Sequence, residues 1–186
     1  MDTPTPPLQL SFDSLMPAQM ASKAETVGMA KANLGPYRMA ALAVLAGAFI
    51  GMGAIFATTV TAVAPGAINP LPYGLNRLLG GLAFSLGLIL VVIAGAELFT
   101  GNNLIVMAWA SGKVPLSKLL RNWVIVYFGN FVGSLATAAL MFASGQYTFG
   151  GGAIGLNALT IANAKVGLAF GQALVLGILC NALVCL

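Results

Sequence analysis

Long stretches without a single charged side chain constrain the fold of this chain more than any other feature of its sequence. Beyond residue 38, charge occurs only at Arg77, Glu97, Lys113, Lys118, Arg121 and Lys165. The uncharged stretches match or exceed the roughly 20 apolar residues that a helix needs to cross a bilayer. The 186 residues are 59% hydrophobic and 6% charged, whereas about 25% of residues in a soluble domain are charged. We therefore expect one all-α integral membrane domain.

Residues 1–38 are expected to form a cytoplasmic N-terminal segment. No apolar region suited to a cleaved signal follows the proline-rich start of the chain within 30 residues, so insertion is expected to use the spans themselves. Residues 12–34 show a weakly amphipathic helical pattern that begins near Pro17. This pattern fits either an anchor lying in the membrane interface, which the periodicity favours, or a gating element.

Four spans are expected in the membrane domain, residues 39–186. They cover residues 39–64, residues 78–96 followed by a half-helix at 103–111, residues 118–144, and residues 166–186. Basic residues precede the first span and follow the second, while the loop between these spans carries only Arg77. The positive-inside rule then places the N-terminus in the cytoplasm. Because the basic residues are dispersed between spans, no nucleic-acid partner is expected.

The last span is still running at Leu186, with no cap or basic flank after it. We therefore expect the sequence to be truncated after the fourth span. Pairs of glycines four residues apart predict close helix packing in lipid. These pairs are Gly47 with Gly51, Gly129 with Gly133, and Gly167 with Gly171. Cys180 and Cys185 would lie about 140° apart around a helix, so they are interpreted as apolar filling, and no metal or cofactor is expected.

The stretch GAELFTGNN, residues 95–103, places an acid, a hydroxyl and two amides within apolar sequence. Two interpretations are open. In the first, the helix ends at Glu97 and an ordinary cytoplasmic loop follows. In the second, the helix breaks inside the protein and the loop and half-helix line a pathway. Non-helical backbone at membrane depth is tolerated only where protein or a water-filled cavity surrounds it, as in the broken helices of transporters.

The stretches FSLGLILVVIAGAELFTGN, RNWVIVYFGNFVG and LGILCNALVCL resemble the formate/nitrite transporter family, and the first two are most similar to its formate channel branch. The resemblance extends from about Phe12 to Leu186. It implies an aquaporin-like protomer of six spans with inverted repeats, assembled as a homopentamer, with one pore through each protomer. It also implies that the second helix is broken by a loop that lies in the permeation path.

The resemblance implies roles for several side chains in the pore. Thr100 matches the family's pore threonine, whose hydroxyl is expected to donate to the anion midway. Leu88, Leu98 and Phe84 match positions that form or flank narrow apolar constrictions. Glu97 is interpreted as a structural anchor of the loop, since a carboxylate in the route would repel an anion.

Two further residues match the family outside this loop. Lys165 alone would be interpreted as a residue at the membrane edge, but the resemblance implies a cation that draws anions toward the pore. Asn181 matches a position near the pore threonine and is expected to orient the loop. The family also uses a pore histidine in its fifth span, and this sequence contains no His.

The expected function is therefore passage of formate, or a similar small monovalent anion, across the bacterial inner membrane. Nitrite or hydrosulfide is the alternative within the family. A neutral-solute channel of the aquaporin kind is a second alternative, although the sequence lacks its Asn-Pro-Ala signature and has only Asn69-Pro70. An enzyme is not expected, because the chain has no His and one embedded carboxylate, Glu97.

Overall fold

The computed structural model describes residues 15–64 and 71–185, and all regular structure in these two ranges is helical. The predictions made for residues 12–14, for Asn69-Pro70 and for Leu186 lie outside the described residues. The helices are α1 (Pro17–Ala32), α2 (Pro36–Val60), α3 (Tyr73–Ala94), α4 (Phe99–Asn102), α5 (Ile105–Ala110), α6 (Leu116–Ala143), α7 (Ala153–Val166) and α8 (Phe170–Cys185). The prediction of an all-α membrane protein is confirmed.

Within residues 15–64 and 71–185, three helices are long and apolar enough to cross a membrane. These are α2, α3 and α6, with 25, 22 and 28 residues and mean hydropathies of 2.2, 2.2 and 1.7 in their most apolar windows. Helices α7 and α8 are long and apolar enough only when they are taken together, and the chain bends by 109° between them. Proline at the first turn of α2 needs no N–H partner and sets the backbone for helix entry.

Glycines bring α2 and α6 into backbone contact. A Cβ atom added at Gly47 would lie 2.1 Å from the Asn130 carbonyl oxygen, and one at Gly133 would lie 2.0 Å from the Val44 carbonyl oxygen. Only a residue without a side chain fits at such distances, so the spaced glycines of each helix bring it close to the facing helix, as predicted.

Helix α3 packs on the other side of α2 through a glycine contact that the spacing rule did not single out. A Cβ atom at Gly53 would lie 2.9 Å from the Gly87 backbone nitrogen. The prediction for Gly167 and Gly171 is wrong, because the bend separates them: Gly167 ends α7, and Gly171 lies in α8 with no neighbour within 4 Å of an added Cβ.

The fourth apolar segment differs from its prediction as a single span over residues 166–186. An additional helix, α7, precedes it, and α8 begins only at Phe170. Gly150, Gly151 and Gly152 have φ between 65° and 86°, the left-handed region that glycine adopts without strain. They end the preceding turn and allow a helix to begin at Ala153.

Helix α1 lies against α5 and the start of α6. A Cβ atom at Gly28 would lie 3.3 Å from the Ala108 Cβ, so the two helices approach closely there. A small apolar cluster of Ala32, Ile105, Ala108, Val114 and Leu119, each at most 3% exposed, seals this contact. The N-terminal helix is therefore positioned beside the segment that follows α3.

Candidate functional site

The second long helix ends abruptly at Gly95, and residues 95–104 form what we call the break segment. Gly95 caps α3 with φ 60°, in the left-handed region, which a side chain would disfavour. The Ala96 N–H donates to the Val91 carbonyl at 3.0 Å, closing the helix end in the manner of a left-handed C-cap. The chain then leaves the helix axis before forming the single turn α4 and the short helix α5.

Groups on the neighbouring helices α2 and α6 form hydrogen bonds with backbone N–H and carbonyl groups of the break segment. The Glu97 N–H donates to the Leu42 carbonyl at 3.2 Å. The Asn130 amide nitrogen donates to the carbonyls of Glu97 and Ala43 at 2.9 and 2.8 Å, and its oxygen accepts from the Phe99 N–H at 2.8 Å. Non-helical backbone is therefore compensated by protein groups.

Asn130 is a residue that the sequence reasoning missed. It is the second of two amides in the quoted motif RNWVIVYFGNFVG and lies between phenylalanine, glycine and valine residues of α6. An amide in such a place is costly unless it is paired, and this cost was the signal that pointed to a partner. No local pattern indicated that this partner would be the break segment, 31 residues earlier.

A buried polar network joins the break segment to α1 and α6. Lys31 Nζ lies 2.9 Å from Glu97 Oε1 and 3.1 Å from Asn102 Oδ1. The Asn102 amide nitrogen donates to Glu97 Oε2 at 2.7 Å and to Asn122 Oδ1 at 2.9 Å. Glu97 is 3% exposed, and Asn102 and Asn122 are fully buried. The Glu97 carboxylate is thus neutralised and held, which agrees with its interpretation as an anchor.

Cationic side chains around the start of α6 hold the C-terminal end of α1. Arg121 donates to the carbonyls of Ala32 and Leu34 at 2.8 and 3.1 Å, and Lys118 donates to Asn33 Oδ1. Both cations lie at the negative end of the helix dipole, where positive charge is stabilising, and Arg121 also satisfies the carbonyl of Ala32 in the last turn. The position of α1 therefore depends on contacts from α6.

An ion pair fixes the middle of α1. Glu25 accepts hydrogen bonds from Lys113 Nζ and from the Ser111 hydroxyl, both in the turn between α5 and α6. The hydrogen bond from Lys113, followed by that from Ser111, holds the pKa of the Glu25 carboxyl below its usual value. Acid is therefore expected to weaken this contact.

Thr100 lies in the single turn α4 and is partly buried. Its backbone carbonyl accepts a hydrogen bond from Cys185 Sγ at 3.3 Å, which connects α4 to the end of α8. Among residues 15–64 and 71–185, no group hydrogen-bonds the Thr100 hydroxyl. The hydroxyl can therefore donate to another molecule.

Two of the expected constriction residues, Leu88 and Leu98, line one cavity of about 690 Å³, which we call the α1 cavity. Its wall is formed by α1, the end of α3 and the break segment, with Val184 of α8. Phe84 lies one turn before Leu88 on α3, outside the lining, and is 40% exposed. The structure thus places the leucines, but not Phe84 or Thr100, on this cavity.

The two remaining candidates lie apart from the α1 cavity. Asn181 lines a second cavity of about 670 Å³ together with Asn103. Its amide nitrogen donates to the Gly177 carbonyl at 3.0 Å, and its buried oxygen has no partner among the described residues. Lys165 is exposed in the last turn of α7, so the bend separates it from the helix that it was expected to begin.

Comparison with known proteins assigns the chain to a family. A family model described as "Formate/nitrite transporter" matches residues 18–186. The chain belongs to the formate/nitrite transporter family. The formate channel FocA of Escherichia coli strain K12 is 46% identical to this family member over 175 residues, covering 94% of the chain and 60% of FocA. FocA of Haemophilus influenzae is 41% identical over 177 residues, covering 95% of the chain and 61% of that protein.

Solved structures agree with this membership. A pentameric formate channel with formate bound superposes on this family member with a TM-score of 0.73 at 50% identity, covering 81% of the chain and 57% of that channel. An ion channel of the FNT family superposes on this family member with a TM-score of 0.61 at 26% identity, covering 69% of the chain and 50% of that channel. The chain spans about three-fifths of the length of these curated relatives. Both of these curated relatives are named formate channels.

Proposed function

We propose that this protein is a formate channel of the bacterial inner membrane, with its N-terminus in the cytoplasm and with a homopentameric assembly. The observation that carries the proposal is the 46% identity to a formate channel across 94% of the chain. The similarity to a pentameric formate channel with formate bound supports both the substrate and the assembly. The distribution of basic residues around the first two spans supports the orientation.

The apolar constriction would select small solutes. Formate carries one negative charge at neutral pH, and moving it past leucine side chains removes its water at a high cost. Leu88 and Leu98 line the same cavity at the end of α3, and Phe84 extends the same face by one turn. A narrow apolar passage of this kind would exclude larger solutes and hydrated ions.

The Thr100 hydroxyl would recover part of the desolvation cost. It lies two residues beyond Leu98 in α4 and has no hydrogen-bond partner among the described residues. Donation to a carboxylate oxygen is a charge-assisted hydrogen bond, which is roughly twice as strong as a neutral one. We assign Asn181, which lines the neighbouring cavity with an unpartnered oxygen, to the same part of the pathway.

Electrostatics would favour entry of an anion over rejection. The carboxylate of the break segment, Glu97, is paired with Lys31 and hydrogen-bonded by Asn102, so its repulsion is largely cancelled. Lys165 is exposed near the bend between α7 and α8. Its positive charge would raise the local anion concentration near that bend. The network thus lets an acidic residue serve as an anchor beside an anion pathway.

Solute selectivity tests the proposed function. Proteoliposomes containing the whole protein are loaded and assayed in parallel with labelled formate, nitrite, hydrosulfide and glycerol. The proposal predicts saturable formate flux with little glycerol flux. Preference for nitrite or hydrosulfide would reassign the substrate within the family, and glycerol flux without formate flux would support a neutral-solute channel instead.

A further inference from the structure

The α1 cavity carries charge in addition to its apolar wall. The side chains that border it include Lys23, Lys31 and Glu97, together with the two leucines of the expected constriction. Two of these groups are cationic and one is anionic. Lys31 is paired with Glu97 at 2.9 Å, so this pair contributes little net charge to the cavity.

Among the described residues that line the cavity, Lys23 is the remaining cation. It is exposed, and among residues 15–64 and 71–185 no carboxylate lies within ion-pair distance of it. Glu25, two residues further along α1, is engaged by Lys113 and Ser111. The positive charge of Lys23 is therefore available to a mobile anion.

The position of Lys23 follows from the geometry of α1. Lys23, Val27 and Lys31 are spaced four residues apart, so they lie along one face of the helix, and all three line the cavity. The helix is held in place through its adjoining face, where Gly28 packs on Ala108. The helix therefore presents Lys23 to the cavity one turn before Val27.

We propose that Lys23 gathers small monovalent anions in the α1 cavity and so acts as a capture site at the α1 side of the pathway. This inference rests on the proposed function. A cation beside low-dielectric apolar walls focuses its field into the cavity, and the expected substrate passes the same leucines. Lys31 is committed to Glu97 and Asn102, which leaves Lys23 for capture and Lys31 for holding the break segment.

Anion flux driven from the α1 side tests this assignment. The whole protein is inserted in one orientation in a planar bilayer or in sorted vesicles, and formate is added to either side. Lys23→Gln is expected to raise the KM for formate entering from the α1 side by about three- to tenfold. This is at or below the smallest rate enhancements that electrostatic steering produces. Maximal flux should be unchanged. The effect should shrink as ionic strength rises above 0.1 M, where the Debye length is about 10 Å.

Matched variants separate charge from structure. Lys23→Arg keeps the charge and should keep the KM of the wild type. Arg38→Gln removes a cation from the start of α2, outside the cavity lining, and should leave KM unchanged. An unchanged KM in Lys23→Gln would overturn the proposal. So would a rise in KM in Lys23→Arg as large as that in Lys23→Gln, or a rise in Lys23→Gln that does not depend on ionic strength.

Nitrite flux in the same preparations keeps the two proposals distinguishable. A wild-type protein that passes nitrite but not formate rejects the proposed substrate, while the role of Lys23 is then read from the KM for nitrite. A wild-type protein that passes neither anion rejects both the proposed function and the capture site.

Discussion

The ammonium of Lys31 lies 2.9 Å from the carboxylate of Glu97, although 66 positions separate them in the sequence. This contact ties the N-terminal helix to the segment that breaks the second span. Asn102 hydrogen-bonds both partners, so each charge is paired in a region where an unpaired charge is costly. The position of α1 and the conformation of the break segment are therefore coupled.

Removing Lys31 should destabilise the protein more than removing the charge of Glu97. Lys31→Met leaves a buried carboxylate unpaired, with an expected loss of about 3 kcal/mol. Glu97→Gln leaves Lys31, whose side chain is 27% exposed, free to reach solvent, so a loss of about 1 kcal/mol is expected. Unfolding midpoints in detergent measure both. In the double variant Lys31→Met/Glu97→Gln no charge is left unpaired, so it should be more stable than Lys31→Met alone. Equal losses in the two single variants, or a double variant no more stable than Lys31→Met, would contradict this account of the pair.

Asn130→Leu should loosen the break segment. The substitution leaves the carbonyls of Glu97 and Ala43 and the N–H of Phe99 without their partner, and each unpaired buried group costs about 1–3 kcal/mol. Hydrogen exchange at Phe99 should accelerate, together with a lower unfolding midpoint. In the matched control Asn130→Asp, the acceptor for Phe99 remains, so exchange at Phe99 should stay slower than in Asn130→Leu. Equal exchange in both variants would contradict the role of the Asn130 oxygen.

Gly133→Ala should separate α2 from α6. The added methyl group would lie 2.0 Å from the Val44 carbonyl oxygen, and such overpacking costs about 1–3 kcal/mol. Gly81→Ala is the control, because an added Cβ there meets nothing within 4 Å and alanine is favoured over glycine in a helix by about 1 kcal/mol. Thermal unfolding should show the first variant less stable than the wild type and the second at least as stable. The reverse order would be inconsistent with the close packing at Gly133.

Acid should release the middle of α1. The pKa of Glu25 is lowered from its ordinary value of 4.5, chiefly by Lys113, so its contribution is present in full above that value and is lost as the pH falls through the lowered pKa. Protection factors for hydrogen exchange over residues 17–32, which correct for the slower intrinsic exchange in acid, should therefore fall below about pH 4.5. Glu25→Gln should show faster exchange at neutral pH and should lose this step. A step of the same size in Glu25→Gln would assign it to another group.

The sequence predicted the parts of the fold that depend on composition and local spacing. Uncharged stretches indicated α2, α3 and α6, and glycine spacing indicated the close packing of α2 against α6. Helix α7 was missed because Lys165 resembled the boundary of a span, whereas Gly167 is the residue that ends the helix. Local patterns carry no information on such a bend, which depends on how the segment packs.

The candidate site was predictable only in part for the same reason. The stretch around Glu97 stood out because it places polar side chains within apolar sequence, where their burial is costly. The family motif pointed to Thr100. The groups that resolve this conflict come from distant helices: Lys31 from α1 and Asn130 from α6. Pairing over such sequence distances follows from the packing of the helices, which one sequence does not reveal.

The central claim is that the break segment lies in an anion pathway, with the Thr100 hydroxyl as a donor to formate. Labelled formate uptake into proteoliposomes, compared between wild type and Thr100→Val, tests it most directly. Thr160→Val, an exposed threonine of α7, is the matched control. Loss of a charge-assisted hydrogen bond of about 1.5–3 kcal/mol predicts at least a tenfold fall in formate flux for Thr100→Val, with assembly and the Thr160→Val flux unchanged. Wild-type flux in fully assembled Thr100→Val would contradict the claim.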